Sequence, residues 1–191
     1  MTHVSIIGTG NMGAAISRIM TDGGNTVELF DTSNHDKPVT GQVVILAVPY
    51  TALSDVVARR GSQLAGKIVV ETTNPVNFET FDELTVPGDA SATAELAQAL
   101  PQSRVVKGFS TNFASTLATR KVGDRVTTVL LAGDDRSAKS VVASIVEAGG
   151  LSAVDAGSLS RARELEALGF LQITLAAGET ITWTGGFGLV P

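Results

Sequence analysis

The sequence predicts an α/β fold: a doubly wound, mostly parallel sheet, a small C-terminal α/β domain and a long apolar final helix. Three observations predict it. Apolar runs of strand length alternate with apolar stripes of helical period along most of the chain. The first run passes through a glycine-rich turn directly into a helical stripe. The composition is rich in glycine (20 of 191 residues) and poor in aromatics (5%), and its 43% hydrophobic content gives core enough to exclude disorder.

Val4, Ile6 and Ile7 form a first strand that ends at Gly8. Met12, Ala15, Ile16, Ile19 and Met20 then mark one helix face, closed by Gly23-Gly24. Residues 27–30 are a second strand, and residues 43–48 a third, apolar throughout as a strand covered on both faces should be. Only twelve residues separate Phe30 from Val43, with Pro38 and Gly41 among them and no apolar stripe, so a loop replaces the usual crossover helix. A short helix carries Leu53, Val56 and Val57, and residues 68–70 are a fourth strand. Ser91 caps a helix bearing Leu96, Ala97 and Leu100. Residues 105–106 and 127–132 are the fifth and sixth strands. Asp134 is expected to cap a helix with Ala138, Val141, Val142, Ile145 and Val146 on one face. A short last strand, 151–154, precedes a helix from Ser158 to about Ala177 whose second half is apolar nearly all round. Strands alternating with helices imply parallel pairing and right-handed crossovers. The expected division is a dinucleotide-binding unit, residues 1–108, and a substrate or dimerisation unit, residues 109–191.

Fourteen basic against 19 acidic residues leave a net charge of −5, which argues against nucleic acid as a partner. With no cysteine there is no disulfide framework, zinc-thiolate site or thiol nucleophile, and no metal cluster is evident. No apolar run reaches the roughly 20 residues of a membrane helix, and the N-terminus lacks the positive region of a signal peptide. A cytoplasmic protein without membrane partners is expected.

The turn Gly8-Thr9-Gly10-Asn11-Met12-Gly13 reads G-x-G-x-x-G between strand and helix, the context that makes it a Rossmann-type dinucleotide fingerprint. Gly8 permits the turn, Gly10 lets a pyrophosphate approach the backbone, and Gly13 lets helix and strand pack closely. The helix N-terminus offers free amides and a positive dipole end to phosphate. Asp31, 18 positions beyond Gly13, can accept the adenosine ribose hydroxyls; its charge repels a 2′-phosphate and favours NAD over NADP. Thr32, Ser33, Asn34, His35 and Lys37 can counter that preference if Asp31 turns away. His35 otherwise reads as a solvated loop residue and His3 as a strand start. Ligands of such sheets sit at the carboxyl ends of the strands. That edge holds Val48-Pro49-Tyr50, Thr72-Thr73-Asn74-Pro75-Val76 and Gly108-Phe109-Ser110-Thr111-Asn112. Asn74 suits a nicotinamide carboxamide or a ribose hydroxyl, and equally an Asn-Pro turn.

The equipment of a carbonyl dehydrogenase is missing: there is no plausible His-Asp pair and no Tyr-x-x-x-Lys run. Lys107, Tyr50, Ser110 and Thr111 are the candidate proton donors, while Arg161, Arg163, Glu164 and Glu166 read as a solvated or ion-paired helix face. Hydride transfer between two cofactors needs little acid-base help, only ring stacking and exclusion of water.

Several stretches, in order along nearly the whole chain, resemble the NADPH-dependent reductases of the deazaflavin coenzyme F420. They are residues 105–112, Ala132-Gly133-Asp134-Asp135 with Ala138-Lys139, and Asp155-Ala156-Gly157-Ser158-Leu159 with Ala162-Arg163 and Glu166. The fingerprint, Asn74-Pro75-Val76 and residues 91–96 fit as well. The resemblance implies a Rossmann domain with a small C-terminal domain forming an apolar deazaflavin pocket. It implies that Thr9, Gly10, Asn11 and Met12 contact the pyrophosphate, that Asp31 and Thr32 occupy the adenosine-phosphate site, and that Pro49, Tyr50 and Ala114 approach the cofactor. It implies NADP, although that family has a serine-arginine pair where Asp31-Thr32 stand. The tail residues 183–188 can alter the pocket.

The opening residues also look like pyrroline-5-carboxylate reductase, whose long all-helical C-terminal domain is not matched here, since strand patterns return at residues 127–132. An imine or small-carbonyl reductase and a non-catalytic NAD(P)-sensing module are the alternative readings. The apolar final helix suggests a homodimer.

Overall fold

The computed structural model describes residues 1–34 and 37–190; His35 lies outside them. In chain order the elements are β1 (His3–Ile7), α1 (Asn11–Asp22), β2 (Thr26–Phe30), β3 (Val43–Leu46), α2 (Leu53–Leu64), β4 (Ile68–Glu71), α3 (Ala92–Ala99) and β5 (Arg104–Lys107). Then follow α4 (Ala114–Thr119), β6 (Lys121–Val122), β7 (Arg125–Val126), β8 (Thr128–Ala132), α5 (Arg136–Ala148), β9 (Ser152–Gly157) and α6 (Ala162–Ala177). One seven-stranded sheet runs β2-β1-β3-β4-β5-β8-β9. The five strands from β2 to β5 are parallel. The order reverses between β1 and β3, the place where doubly wound sheets open a ligand crevice.

Alternation along each strand divides the core in two. Ile6, Ile45, Val70, Val106, Val129 and Leu131 face α1 and α5, where Ile16, Ile19, Val142 and Ile145 meet them. Ile7, Val44, Leu46, Val69 and Val105 face α2 and α3, which contribute Leu53, Leu64 and Leu96. All four residues of β3 are buried, as its unbroken apolar run predicts.

The short link from β2 to β3 is held by charge. Glu28 on β2 accepts hydrogen bonds from Ser5 Oγ, from the Thr40 amide (2.9 Å) and hydroxyl (3.0 Å) and from the Gly41 amide (3.3 Å), and faces Lys37 Nζ at 3.5 Å. From the other side Arg60 of α2, 4% exposed, lies over the Phe30 ring and donates to the Asn34 and Lys37 carbonyls. Ionic and backbone bonds thus replace the apolar face a crossover helix would bury.

Four expectations need correction. The strand at 128–132 runs antiparallel to β5, paired only at Lys107 and Ala132, and β9 runs parallel to β8 with a bulge between Leu131 and Ala132. The cap of α5 is Asp135, whose carboxylate accepts from the Ala138 amide at 2.8 Å; Asp134 instead accepts from the Leu159 amide at 2.9 Å. Helix α4 and the β6–β7 hairpin fall where no periodicity foreshadowed them. The final helix begins at Ala162 and buries one stripe (Ala162, Leu165, Glu166, Gly169, Gln172, Ala176), while Leu171 is half exposed. Near its end β9 turns the Asp155 carboxylate back onto Lys139 Nζ (2.6 Å) and the Gly157 amide (2.8 Å). Among the described residues no helix is long and apolar enough to cross a membrane.

This packing makes two outcomes measurable. Leu46→Ala, at a site with 0% exposure, lowers unfolding free energy in urea by about 2–5 kcal/mol, and Leu171→Ala by under about 0.5 kcal/mol. Burial pushes the Glu28 carboxyl up, but the Ser5 and Thr40 hydrogen bonds and the Lys37 charge outweigh it and bring the pKa from 4.5 to about 2. The unfolded chain therefore binds this proton first, so the stability Glu28 confers is complete above about pH 5 and lost as pH falls from 4.5 toward 2. Glu28→Gln flattens that acid limb in melts recorded between pH 2 and pH 6.

Candidate nucleotide and acceptor site

The fingerprint turn is a meeting of three backbones. Gly8 has φ +112°, and a Cβ there would stand 2.1 Å from the Ala47 carbonyl oxygen. A Cβ on Gly13 would stand 2.0 Å from the Gly8 carbonyl oxygen. At Gly10 the same construction meets nothing within 4 Å. Gly8 and Gly13 are thus demanded by packing, whereas Gly10 keeps space open above the turn. Helix α1 starts there with no side-chain cap and no acidic residue in its first turn. Its first amides are free to bind an anion.

Two adjoining cavities extend from this turn and share Gly10, Ala47, Val48 and Pro49. The smaller, about 360 Å³, runs to the end of β2 and is lined by Gly8, Thr9, Asp31, Thr32, Asp55, Arg59 and Arg60 among others. Asp31 is exposed, and its carboxylate accepts from the Ser33 amide (2.8 Å) and hydroxyl (2.6 Å); these bonds hold it below the usual carboxylate range. Arg59 is tied to Asp55 at 2.8 Å.

The larger cavity, about 620 Å³, passes Asn11 and Met12 to the ends of β4 and β5. Among the described residues its lining contains no aspartate, glutamate, lysine, arginine or histidine. Aromatic rings dominate the far end: Phe78, Phe109, Phe113 and Trp183, the last two 5.0 Å apart. Phe109 is fully buried at φ +64°, a left-handed backbone that bulky residues rarely adopt. Four lining residues each carry a buried polar atom without a hydrogen-bond partner: Thr73 Oγ1, Asn74 Oδ1, Ser110 Oγ and Asn112 Oδ1. Native interiors rarely leave such groups unpaired, and four of them around one cavity fit a polar ligand.

Most of the expected site residues converge here. Gly8, Thr9, Gly10, Asn11, Met12, Asp31, Thr32, Val48, Pro49, Tyr50, Asn74 and Ala114 all line one or both cavities. Gly13 does not, because it packs on Gly8, nor does Pro75, whose carbonyl accepts from Thr85. The proton donors fare differently. Tyr50 donates to Glu95 at 2.7 Å, and desolvation followed by that bond and charge pushes its pKa up to about 12.

Lys107 is absent from the cavity wall. It is fully buried and donates to Glu71 Oε2 (2.6 Å), to Glu166 Oε1 (2.9 Å) and to the Thr73 carbonyl, which uses all three ammonium hydrogens. Glu166 is therefore ion-paired but no part of a solvated face: it is fully buried, and burial raises its pKa even with Lys107 beside it. A glutamate in register with Leu165, Gly169 and Gln172 was the sequence signal for this. Trp183, from the tail expected to alter the pocket, lines it, whereas Phe113, Ile173 of α6 and the arginine pair of α2 had no pattern to announce them.

No family model matches the chain. Over 161 residues it is 29% identical to the F420-dependent NADP reductase of Methanocaldococcus jannaschii, covering 82% of this chain and 72% of that protein. The chain resembles F420-dependent NADP reductases. It is also 29% identical over 182 residues to the metalloreductase STEAP3 of Rattus norvegicus, covering 86% of this chain but only 36% of that protein. A crystal structure from Arthrobacter sp. FB24, provisionally named an F420-dependent NADP reductase, superposes over all of both chains with a TM-score of 0.87 at 22% identity, which establishes the shared fold.

The glycines give a test that separates fold from binding. Gly10→Ala leaves the melting temperature within about 2 °C and abolishes calorimetric binding of ADP-ribose, because only the open space is filled. Gly13→Ala collides with backbone and costs several kcal/mol of stability, about 3 or more.

Proposed function

We propose that the chain is an oxidoreductase that passes hydride between a nicotinamide dinucleotide and a deazaflavin or flavin-like acceptor. The observation that carries this is the uncharged, aromatic cavity that continues from the fingerprint turn. Reduction of a ketone or imine needs a proton donor at the reacting atom. Tyr50, the titratable residue of the lining, is engaged by Glu95 and hard to ionise, and Lys107 is sequestered. An uncharged slot without a free carboxyl, imidazole or ammonium group suits stacking of two rings and exclusion of water. The similarity to the Methanocaldococcus jannaschii reductase supports the same acceptor class.

The residues present fit a dinucleotide. The open space at Gly10 and the uncapped start of α1 suit a pyrophosphate, and the unpartnered Thr73, Asn74 and Ser110 atoms suit a carboxamide and ribose hydroxyls. When bound, the nicotinamide supplies or accepts the hydride. The chain's part is to fix the phosphates with the Asn11 and Met12 amides, receive the adenosine ribose at Asp31 and Thr32, and keep the ring end dry with Phe109, Phe113 and Trp183. In this division residues 1–108 hold most of the nucleotide, and residues 109–191 add Ser110 to its ring end and bring Ala114, Ile173 and Trp183 to the acceptor end. Half-exposed Leu171, Phe187 and Leu189 on the C-terminal side support a homodimer, and the similarity to the Methanocaldococcus jannaschii reductase fits a cytoplasmic protein.

Asp31 sets the nucleotide preference in this reading: held ionised by Ser33, it favours NAD, against the pull of Arg59 in the same cavity, while Lys37 is turned to Glu28. Calorimetry with NADH and NADPH in parallel checks it. NADH binds more tightly to the wild type, and Asp31→Ser raises NADPH affinity by about tenfold, an effect that shrinks with salt. Bleaching of oxidised coenzyme F420 by the preferred nucleotide tests the reaction itself. Absence of turnover with either nucleotide, or nucleotide oxidation driven by a cyclic imine without flavin, overturns it.

A further inference from the structure

Beneath the larger cavity lies a buried ion cluster that the proposed chemistry does not use. Glu71 closes β4, Lys107 closes β5 and Glu166 comes from α6; all three side chains are at most 1% exposed. Two carboxylates against one ammonium leave the cluster one negative charge in excess. Backbone amides and a hydroxyl satisfy it: Ala92 N and Thr93 N at the start of α3 donate to Glu166 (3.0 and 3.3 Å), and Thr93 Oγ1 donates to Glu71 (2.6 Å). Burying three charges is costly, and apolar side chains would stabilise the fold equally well. The cluster's connections show what it does instead.

Both backbone groups of Thr73 end on it. The Thr73 amide donates to Glu71 Oε1, and the Thr73 carbonyl accepts from Lys107 Nζ. The next residue, Asn74, donates to the Ser110 carbonyl at 2.7 Å. On α6, Glu166, Gly169 and Ile173 follow at helical spacing along one face. Gly169 sits so close that a Cβ there would stand 2.5 Å from Asn74 Oδ1 and from the Ser110 carbonyl oxygen, and Ile173 lines the cavity. Anchoring Glu166 thus presses α6 onto the wall that bears three of the four unpartnered polar atoms, Thr73 Oγ1, Asn74 Oδ1 and Ser110 Oγ.

We propose that Lys107, Glu71 and Glu166 are positioning residues that lock the Thr73–Asn74 wall and α6 together, so that the nicotinamide end of the nucleotide is held in one place. This rests on the reading above, that the larger cavity receives that ring. None of the three touches the ligand; each acts through Thr73, Asn74 or Gly169.

The test compares ADP-ribose, which lacks the nicotinamide, with whichever of NADH and NADPH the wild type binds. Glu166→Gln and the pair Lys107→Met/Glu166→Gln are the variants, and the pair keeps the cluster's excess charge at one while removing the tie. Both variants bind ADP-ribose within about twofold of wild type. Their Kd for the reduced nucleotide rises about tenfold, the equivalent of one or two lost hydrogen bonds, and the blue-shifted emission of the enclosed nicotinamide is lost. Lys107→Met alone leaves two facing carboxylates and melts lower than the pair. Unchanged affinity and emission in folded variants overturns the proposal. So does equal loss for both ligands, or failure of every variant to fold, since either result makes the cluster structural only. A wild type that binds neither ligand fails the nucleotide reading itself, a result distinct from these.

Discussion

Everything in this molecule depends on how closely three backbones approach at one turn. Gly8 lies against the Ala47 carbonyl, and Gly13 lies against Gly8. That contact lets α1 start at the carboxyl edge of the sheet, where β1 and β3 part. No side chain intervenes, so the first amides of the helix face open space. Were either glycine larger, α1 would be displaced and both cavities would lose a shared wall.

This part was legible from residue order because steric need there is absolute. Glycines at fixed spacing between an apolar strand and an amphipathic helix are placed there by close backbone packing and by little else. Strand β3 was equally clear, since burial on both faces writes an unbroken apolar run over residues 43–46. The missing crossover helix was also visible, but what replaced it was not. Arg60 lies far from the loop in sequence, Glu28 reaches residues 12 and 13 positions beyond itself, and polar ties of this kind leave no periodicity. The reversed direction of β8 escaped for a related reason: one residue pair joins it to β5, and an apolar run carries no arrow. Aspartates at 134 and 135 each suit a cap, and only the geometry chose between them.

Charge is distributed to opposite purposes in the two halves of the groove. The smaller cavity gathers Asp31, Asp55 and Arg59 near solvent, where charges are screened, with Arg60 buried beside them. The other end excludes charge from its lining and buries Glu71, Lys107 and Glu166 behind it. In that poorly polarisable setting each remaining dipole counts for more. Solvation was the wrong half of the expectation for Glu166, because charge was weighed there and its place on the buried stripe was not.

The two rims of the sheet complete the picture. At one rim, β2 is five residues long and its Glu28 is occupied by the loop that folds beside it. At the other, β9 is bulged, and its Asp155 carboxylate curls back onto its own chain. Short, charged and irregular margins make poor templates for strand addition. Copies of this protein crowded together are therefore poorly suited to joining edge to edge along this sheet.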